Sequence, residues 1–219
     1  MIIKSFLLLC LALNVCLAGK AGIIRPCRFY DRKCIADNLK ANSRCTPIVR
    51  GFVPNQYTIR NVRFEAPFFN ASFIDRSLTI RNHDKCRISE FYYNVPTDSL
   101  VLSVDCPNLV LESNRTLIQH RSKQEDSCYN YHICGTYPLI RLTAHIRDAD
   151  KLDLCSSFVF GDVTELPIFA INPLDKKTQN FLSRDLTLLN VFERECIFYR
   201  AHFLMCYFIN SLYCNFGCN

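Results

Sequence analysis

Residues 100–118 read "LVLSVDCPNLVLESNRTLI", and the alternation of apolar and polar side chains along this stretch decides the fold. Ser103 and Asp105 occupy the polar phase, while the neighbouring leucines and valines occupy the apolar phase. We expect Pro107 to interrupt the strand and the alternation to resume at Leu109. This pattern predicts half-buried antiparallel strands, with one face packed on a core and one face in water.

The same period of two continues on both sides of this stretch. Residues 96–99, "PTDS", carry turn-forming side chains and predict an antiparallel hairpin directly before it. Two further short apolar runs lie on either side of Gly161 and Asp162. The predicted strands cover residues 57–64, 68–80, 88–95, 100–106, 109–118 and 137–146.

Helical spacing is found near both ends of the chain. Residues 33–41 favour a short helix, with Asp31 as its N-cap. Residues 182–213 predict a long amphipathic helix. Its apolar stripe consists of Leu182, Leu186, Leu189, Phe192, Cys196, Tyr199, Phe203, Cys206 and Tyr213. Its charged side consists of Arg184, Asp185, Glu193, Arg194 and Arg200.

These elements together predict an α+β fold. A curved, mostly antiparallel β-sheet would carry the short N-terminal helix and the long C-terminal amphipathic helix packed on it, in a disulfide-rich chain. Neither internal repeats nor low-complexity segments are evident in the sequence, so one domain is the simplest organisation.

The N-terminus has the layout of a secretory signal peptide. Lys4 precedes an apolar run that ends at Ala18, and small residues follow. We therefore expect residues 1–18 to be a signal peptide, with Ala21 as an alternative cleavage point, and residues 19–219 to form one secreted glycoprotein domain. No later segment is long and apolar enough to predict a membrane span.

Cysteine is abundant, with 14 residues, and Cys10 and Cys16 would leave with the signal peptide. An oxidising compartment and an even count favour disulfides among the remaining twelve, although the connectivity cannot be deduced. Cys196 and Cys206 lie on the predicted buried stripe, either bridged to the rest of the chain or present as buried thiols. The twelve are Cys27, Cys34, Cys45, Cys86, Cys106, Cys128, Cys134, Cys155, Cys196, Cys206, Cys214 and Cys218.

Reaction machinery is not evident in the sequence. The histidines are scattered, and the few glycines give no phosphate-binding loop. Cys128, His132 and Cys134 could be drawn as a metal cluster, but secretion favours disulfides. We predict no catalytic residue, no metal and no cofactor. The net charge of +6 is spread among mixed charges, so nucleic acid is not an expected partner.

Two N-glycosylation sequons stand out, at Asn70 and Asn114. Asn114 falls on the polar phase of its predicted strand. Asn70 and Ser72 alternate with apolar neighbours, which would also leave Asn70 on the wet face. Beyond residue 74 the apolar phase shifts by one, so a bulge or bend is predicted near Asp75.

Several long stretches carry a resemblance to a known family. They are "RPC", "CIADNLKANSRC", "FNASFIDRSLTIRNHDKCRISEFYYNV", "DCPNLVLESNRTLIQHRS", "YPLIRLTA", "NPLDKKTQNFLSRDLTLLNVFERE" and "FINSLYCNFGC". Together they resemble the fibrohexamerins, the small glycoprotein subunits of moth silk fibroin. The resemblance implies a non-enzymatic protein that associates non-covalently with the fibroin heavy and light chains. It also implies a role in keeping that assembly soluble through secretion and storage in the silk-gland lumen, and glycosylation at Asn70 and Asn114.

The predicted architecture is also similar to juvenile-hormone-binding and takeout-like proteins, in which a curved sheet wraps a long helix. That similarity implies an alternative function, the transport of a small hydrophobic ligand. An apolar tunnel lined by Phe192, Tyr199 and Phe203 would be its signature.

Overall fold

The computed structural model describes residues 22–183 and 186–218. The signal peptide predicted at residues 1–18 lies outside the described residues. The same holds for Cys10 and Cys16, and for the side chains of Leu186, Leu189 and Phe192 in the predicted apolar stripe.

The described part of the chain forms seven strands and three helices. The strands are β1 (Gln56–Ala66), β2 (Ala71–Arg81), β3 (Arg87–Asn94), β4 (Ser99–Gln119), β5 (Ser127–Arg147), β6 (Phe158–Val163) and β7 (Ile168–Pro173). The helices are α1 (Arg32–Ala41), α2 (Lys176–Leu182) and α3 (Leu186–Leu212). Asp31 caps α1 as predicted, because its carboxylate accepts the backbone N–H of Cys34 at 2.9 Å.

All seven strands belong to one antiparallel sheet built around β4 and β5, which are 21 residues long each. Strands β2 and β3 pair with opposite halves of β4, and β6 and β7 pair with opposite halves of β5. Strand β1 continues the sheet beyond β2. The turn predicted at residues 96–99 joins β3 to β4 in an antiparallel hairpin, as expected.

Strand β4 runs without interruption past Pro107, so the predicted break there is wrong. Asn108, beside this proline, adopts a left-handed backbone with φ 51°. This left-handed residue shifts the alternation of buried and exposed side chains by one position. Cys106 and Leu109, three residues apart, are therefore both buried in the main core, the hydrophobic cluster formed by the sheet and α3. The predicted strands 100–106 and 109–118 are therefore one strand with a local twist.

Helix α3 supplies the main core with Ile197, Ala201, Met205 and Ile209, which lie against the sheet. The amphipathic assignment of this helix is correct for part of the stripe, since Cys196, Cys206 and Tyr213 are buried as predicted. It is wrong for Glu193 and Arg200, which were expected on the solvent side and are 1% and 3% exposed. Ion pairs with two strands hold these two charged residues inside.

The predicted fold class, an α+β fold of the juvenile-hormone-binding or takeout type, is wrong. The structure is mostly antiparallel β-sheet, and the described elements do not show a takeout-like fold. The predicted strands missed half of β5. Residues 127–136 of that strand were not predicted, although tyrosines and an isoleucine alternate there with polar residues, which is the same signal that located the other strands.

The stretch around the first sequon is a hairpin turn rather than the middle of a strand. Residues 67–69 form a single 3₁₀ turn between β1 and β2, and Asn70 closes it in a left-handed conformation. The bulge predicted near Asp75 is confirmed, since the β2–β4 register shifts between Asp75 and Leu78. The phase shift in the sequence located this irregularity correctly.

Gly161 in β6 lies directly against α3. A Cβ atom at this position would lie 2.9 Å from Ile197 Cγ2 and 3.3 Å from Ala201 Cβ. We therefore expect Gly161→Ala to lower the free energy of unfolding by about 1–3 kcal/mol, because the helix must move off the strand. Urea unfolding followed by circular dichroism would measure the loss.

Gly22→Ala is the matched control for this substitution, since its added Cβ would meet its nearest atom at an ordinary 3.6 Å. Equal stability of the two variants would show that α3 does not press on β6 at Gly161.

Candidate functional site

Asn70 is exposed at the tip of the β1–β2 hairpin. Its Nδ2 donates a hydrogen bond to the backbone carbonyl of His120 at 2.8 Å. A glycan replaces one of the two hydrogens on Nδ2, so the second can keep this bond. Ser72, the hydroxyl residue of the sequon, is buried and lies 2.5 Å from His120 Nε2. The predicted position of Asn70 in solvent therefore agrees with the structure, whereas that of Ser72 does not.

Asn114 is exposed in the middle of β4. The adjacent Arg115 points to α3, and successive side chains of a strand point to opposite faces, so Asn114 faces away from the helix. Its Oδ1 lies 3.0 Å from His132 Nδ1 on β5. Thr116, the hydroxyl residue of this sequon, donates to Asn130 Oδ1 at 2.7 Å. Both sequon asparagines are thus sterically open to modification.

Glycosylation at these two positions gives a separate prediction. We expect Asn70→Gln and Asn114→Gln each to remove one electrophoretic step from the secreted protein, and an amidase that releases N-glycans to remove both steps. Thr116→Ser is the control, because serine preserves the sequon. An Asn114→Gln variant that migrates like the native secreted protein would contradict glycosylation at Asn114.

Three disulfides are present among the described residues: Cys27–Cys34, Cys45–Cys214 and Cys86–Cys106. The first joins the N-terminal segment to the start of α1. The second joins the segment after α1 to the residues that follow α3. The third joins the end of the turn after β2 to the middle of β4. The second disulfide thus ties the N-terminal segment to the C-terminal tail, and the third is a crosslink within the sheet.

The remaining six cysteines of the described ranges are thiols in this structure, and their pairing stays a prediction. Cys128 and Cys134 lie on the same face of β5, six residues or about 20 Å apart, which is too far for a direct bond. Cys196 is buried, with its sulfur 3.8 Å from Arg115. Burial raises the pKa of the Cys196 thiol well above its usual value, and so does the neighbouring carboxylate of Glu193. The other three are Cys155, Cys206 and Cys218.

A buried ion network joins the sheet to α3. Asp75, at the bulge in β2, accepts from Arg115 Nε at 2.8 Å and from Arg200 at 2.5 Å. Nη1 of Arg115 binds Oε2 of Glu193 in α3. Oε1 of Glu193 accepts a hydrogen bond from the hydroxyl of Tyr131 at 3.0 Å. Two arginines and two carboxylates balance, so the network buries no net charge.

The surroundings of this network favour the ionised forms. Burial alone would lower the pKa of Arg115, but the carboxylates of Asp75 and Glu193 raise it well above its ordinary value. The guanidinium groups also lie over aromatic rings, with Arg115 5.6 Å from the centroid of Phe73 and Arg200 5.0 Å from that of Phe64. With side chains 0–3% exposed, the network is a structural clamp rather than a site that a substrate can reach.

Sequence reasoning missed this network, although one signal was available. Glu193 and Arg200 are seven residues apart, which is two helical turns, so they lie on the same face of α3. Two opposite charges on one helix face, together with a charged residue at the predicted bulge, could have suggested a buried pairing.

Among the histidines of the described residues, His83 differs from the others in its burial. It is fully buried beside the rings of Tyr57, Tyr207 and Phe208. Burial raises the pKa of Tyr57, whose hydroxyl oxygen forms a 2.6 Å hydrogen bond with His83 Nδ1. His83 Nε2 has no hydrogen-bond partner among the described residues.

The described residues also bring ligand atoms of His83, Cys86 and Cys106 within 4.8 Å of one another. Cys86 and Cys106 are joined by a disulfide, and disulfide sulfurs are not thiolate ligands. This group therefore fits a structural crosslink beside a buried histidine better than a metal centre.

Burial lowers the pKa of His83 from 6.5 to about 4, and this shift predicts a pH dependence of stability. The unfolded chain takes up a proton below about pH 6.5, whereas the folded chain resists it until about pH 4. The contribution of His83 to stability is therefore complete above pH 6.5 and falls by up to about 3 kcal/mol towards pH 4. Urea unfolding at intervals across this range would measure the loss.

His83→Gln is the control, because glutamine carries no titrating group. We expect this variant to lose less stability than the native chain between pH 6.5 and pH 4. An identical pH dependence in both proteins would show that other groups cause the acid sensitivity.

The apolar tunnel expected for a ligand carrier is not found at Tyr199 and Phe203, and the Phe192 side chain lies outside the described residues. Phe203 lies in an open surface groove of about 580 Å³, which both apolar side chains and the polar Arg50 and Asn210 line. Tyr199 packs on the rings of Phe64 and Phe198. These two side chains therefore give the small-ligand alternative no support.

Fold and site together define a disulfide-bonded, predominantly antiparallel β-sheet protein whose organised polar groups hold a helix against the sheet. No helix in the described ranges combines the length and apolar character needed to cross a membrane.

The chain belongs to the fibroin P25 family, which matches residues 23–218. It is 58% identical over 215 residues to the fibrohexamerin of Galleria mellonella, and the alignment covers 98% of this chain and 99% of that relative. The resemblance to the fibrohexamerins drawn from the quoted stretches is confirmed.

Proposed function

We propose that this protein associates non-covalently with the fibroin heavy and light chains and aids the solubility, assembly and secretion of their complex. The observation that carries the proposal is the 58% identity to a fibrohexamerin over nearly the whole of both chains. The described contacts agree with a non-enzymatic role, since the most strongly interacting charged groups are buried in a clamp.

The two sequon asparagines support the solubility part of this proposal. Asn114 lies on the sheet face that points away from α3, and Asn70 lies at the tip of the adjoining hairpin. Glycans at these positions would keep this side of the molecule hydrated and would hinder edge-to-edge pairing of sheets. Such protection suits a protein that is stored in the gland lumen beside chains that form β-structure readily.

Secretion is part of the same proposal. Residues 1–18 act as the signal peptide, and residues 19–219 form the secreted domain. The N-terminal sequence of the mature protein should therefore begin at Gly19, or at Gly22 if cleavage follows Ala21.

Native gel filtration of silk-gland contents tests the association. We expect the protein to elute with the heavy and light chains, and to separate from them in detergent without reductant, because the association is non-covalent. Elution only at the monomer mass would overturn the proposal, and release from the heavy chain only after reduction would overturn its non-covalent part.

A further inference from the structure

Three of the unpaired thiols form one cluster at the C-terminal end of the molecule. Cys206 lies on α3, Cys218 lies in the tail that follows it, and Cys155 lies in the loop before β6. The sulfurs of Cys206 and Cys218 are 3.3 Å apart. The thiol of Cys155 donates to the backbone carbonyl of Phe216, two residues before Cys218, at 3.5 Å. Cys218 also contributes to the raised pKa of the Cys155 thiol, as expected for neighbouring groups. Cys218 therefore lies near both of the other cysteines.

The chain holds Cys218 in this position through several contacts. Asn210 of α3 donates to the backbone carbonyl of Cys218 at 3.0 Å and accepts the backbone N–H of Phe216 at 2.9 Å. Asn215 exchanges two backbone hydrogen bonds with Thr46, each of 2.8 Å. The tail thus reaches the thiol cluster in a fixed conformation, and little entropy is lost when a bond forms there.

The cluster also contains a histidine. His202 on α3 donates its Nε2–H to the backbone carbonyl of Leu154 at 3.1 Å. The sulfur of Cys206 is 3.6 Å from this Nε2 and 3.9 Å from Nδ1. Burial raises the pKa of the Cys155 thiol to about 12, and the contact with Cys218 adds to the effect. A thiol in such surroundings is mostly protonated at neutral pH and reacts slowly.

We propose that Cys206 and Cys218 form a fourth disulfide in the secreted protein, and that Cys155 is held beside it as the alternative partner of Cys218. The three disulfides already in the structure place the chain in an oxidising compartment. In the oxidation, the two thiols lose their hydrogens to an external disulfide, which is reduced to two thiols while the Cys206–Cys218 bond forms.

Transfer of the disulfide of Cys218 from Cys206 to Cys155 is a thiol–disulfide exchange and needs no further oxidant. The Cys155 thiolate attacks the sulfur of Cys218, the bond from Cys218 to Cys206 breaks, and Cys206 leaves as a thiolate that takes up a proton. The tail is then tied to the loop before β6 instead of to α3. Because the Cys155 thiol has a raised pKa, this exchange is slow at neutral pH and becomes faster as the pH rises.

Peptide mapping without reductant tests the proposal on the secreted protein, after free thiols have been alkylated at acid pH in denaturant. Chymotrypsin cleaves after Tyr207, Tyr213 and Phe216, so it places Cys206, Cys214 and Cys218 on separate peptides. We expect the dominant linked pair to be Cys206–Cys218, with Cys155 alkylated. Alkylation of both Cys206 and Cys218 would overturn the proposal, and so would a stoichiometric zinc ion bound to the purified protein in place of this bond.

Two serine variants test the role of Cys155. In Cys206→Ser we expect a Cys155–Cys218 peptide to replace the native one, because Cys155 is the remaining neighbour of Cys218. In Cys155→Ser the Cys206–Cys218 peptide should be unchanged. Alkylation of both Cys155 and Cys218 in the Cys206→Ser protein would overturn the assignment of Cys155 as the alternative partner.

Discussion

Replacement of Arg115 by methionine is expected to lower the free energy of unfolding by about 3–5 kcal/mol. Arg115 is fully buried and bridges Asp75 of the sheet to Glu193 of α3. Methionine fills a similar volume. Among the described residues, it leaves the Glu193 carboxylate with the hydroxyl of Tyr131, and it leaves Asp75 with Arg200 and Ser113. A buried carboxylate without its cation costs far more than the loss of an ordinary hydrogen bond.

Urea unfolding followed by circular dichroism is the appropriate measurement, because the chain has no tryptophan. Arg76→Met is the matched control, since Arg76 is exposed on the same bulge and should change stability by less than about 0.5 kcal/mol. Arg115→Lys keeps the positive charge but cannot bridge two carboxylates, so an intermediate loss is expected. Equal stability of Arg115→Met and Arg76→Met would show that the ion network does not hold the helix on the sheet.

The sequence predicted local features of this fold well where neighbouring residues determine them. The phase shift after residue 74 located the bulge at Asp75, because a bulge moves the apolar residues to the other parity of the strand. The cap of α1 and the β3–β4 turn were also predicted correctly, since each depends on a few consecutive residues. The exposure of Asn114 followed from simple alternation.

Features that depend on distant residues were not predicted. Ser103 and Asp105 were expected on a wet face, but both are buried. The Ser103 hydroxyl donates to Glu90 of β3 and shares a hydrogen bond with Thr143 of β5, and Asp105 is paired with Arg141. The burial of Glu193 and Arg200 on α3 likewise depends on a guanidinium and a carboxylate more than 70 positions away in the chain. Periodicity within one element carries no information about such partners.

The same limit applies to the cysteines. Their even number and the secretory signal predicted disulfides, but not which sulfurs meet. The structure pairs Cys45 with Cys214 across a separation of 169 residues. It also brings Cys155, Cys206 and Cys218 together from a loop, a helix and the tail. Which cysteines lie close together depends on the whole topology, and the sequence pattern predicted that topology only in part.

Removal of the Cys45–Cys214 disulfide, by Cys45→Ala together with Cys214→Ala, is expected to lower the free energy of unfolding by about 5 kcal/mol. The bond closes a loop of 169 residues that contains all seven strands, so it restricts the unfolded chain strongly. The control pair, Cys27→Ala with Cys34→Ala, opens a separation of only 7 residues and should cost about 2–3 kcal/mol. Urea unfolding of both double variants under identical conditions would give the two losses. If they were equal, loop closure in the unfolded chain would not be the source of the stabilisation, and the contacts that the disulfide fixes between the N-terminal segment and the C-terminal tail would have to account for it.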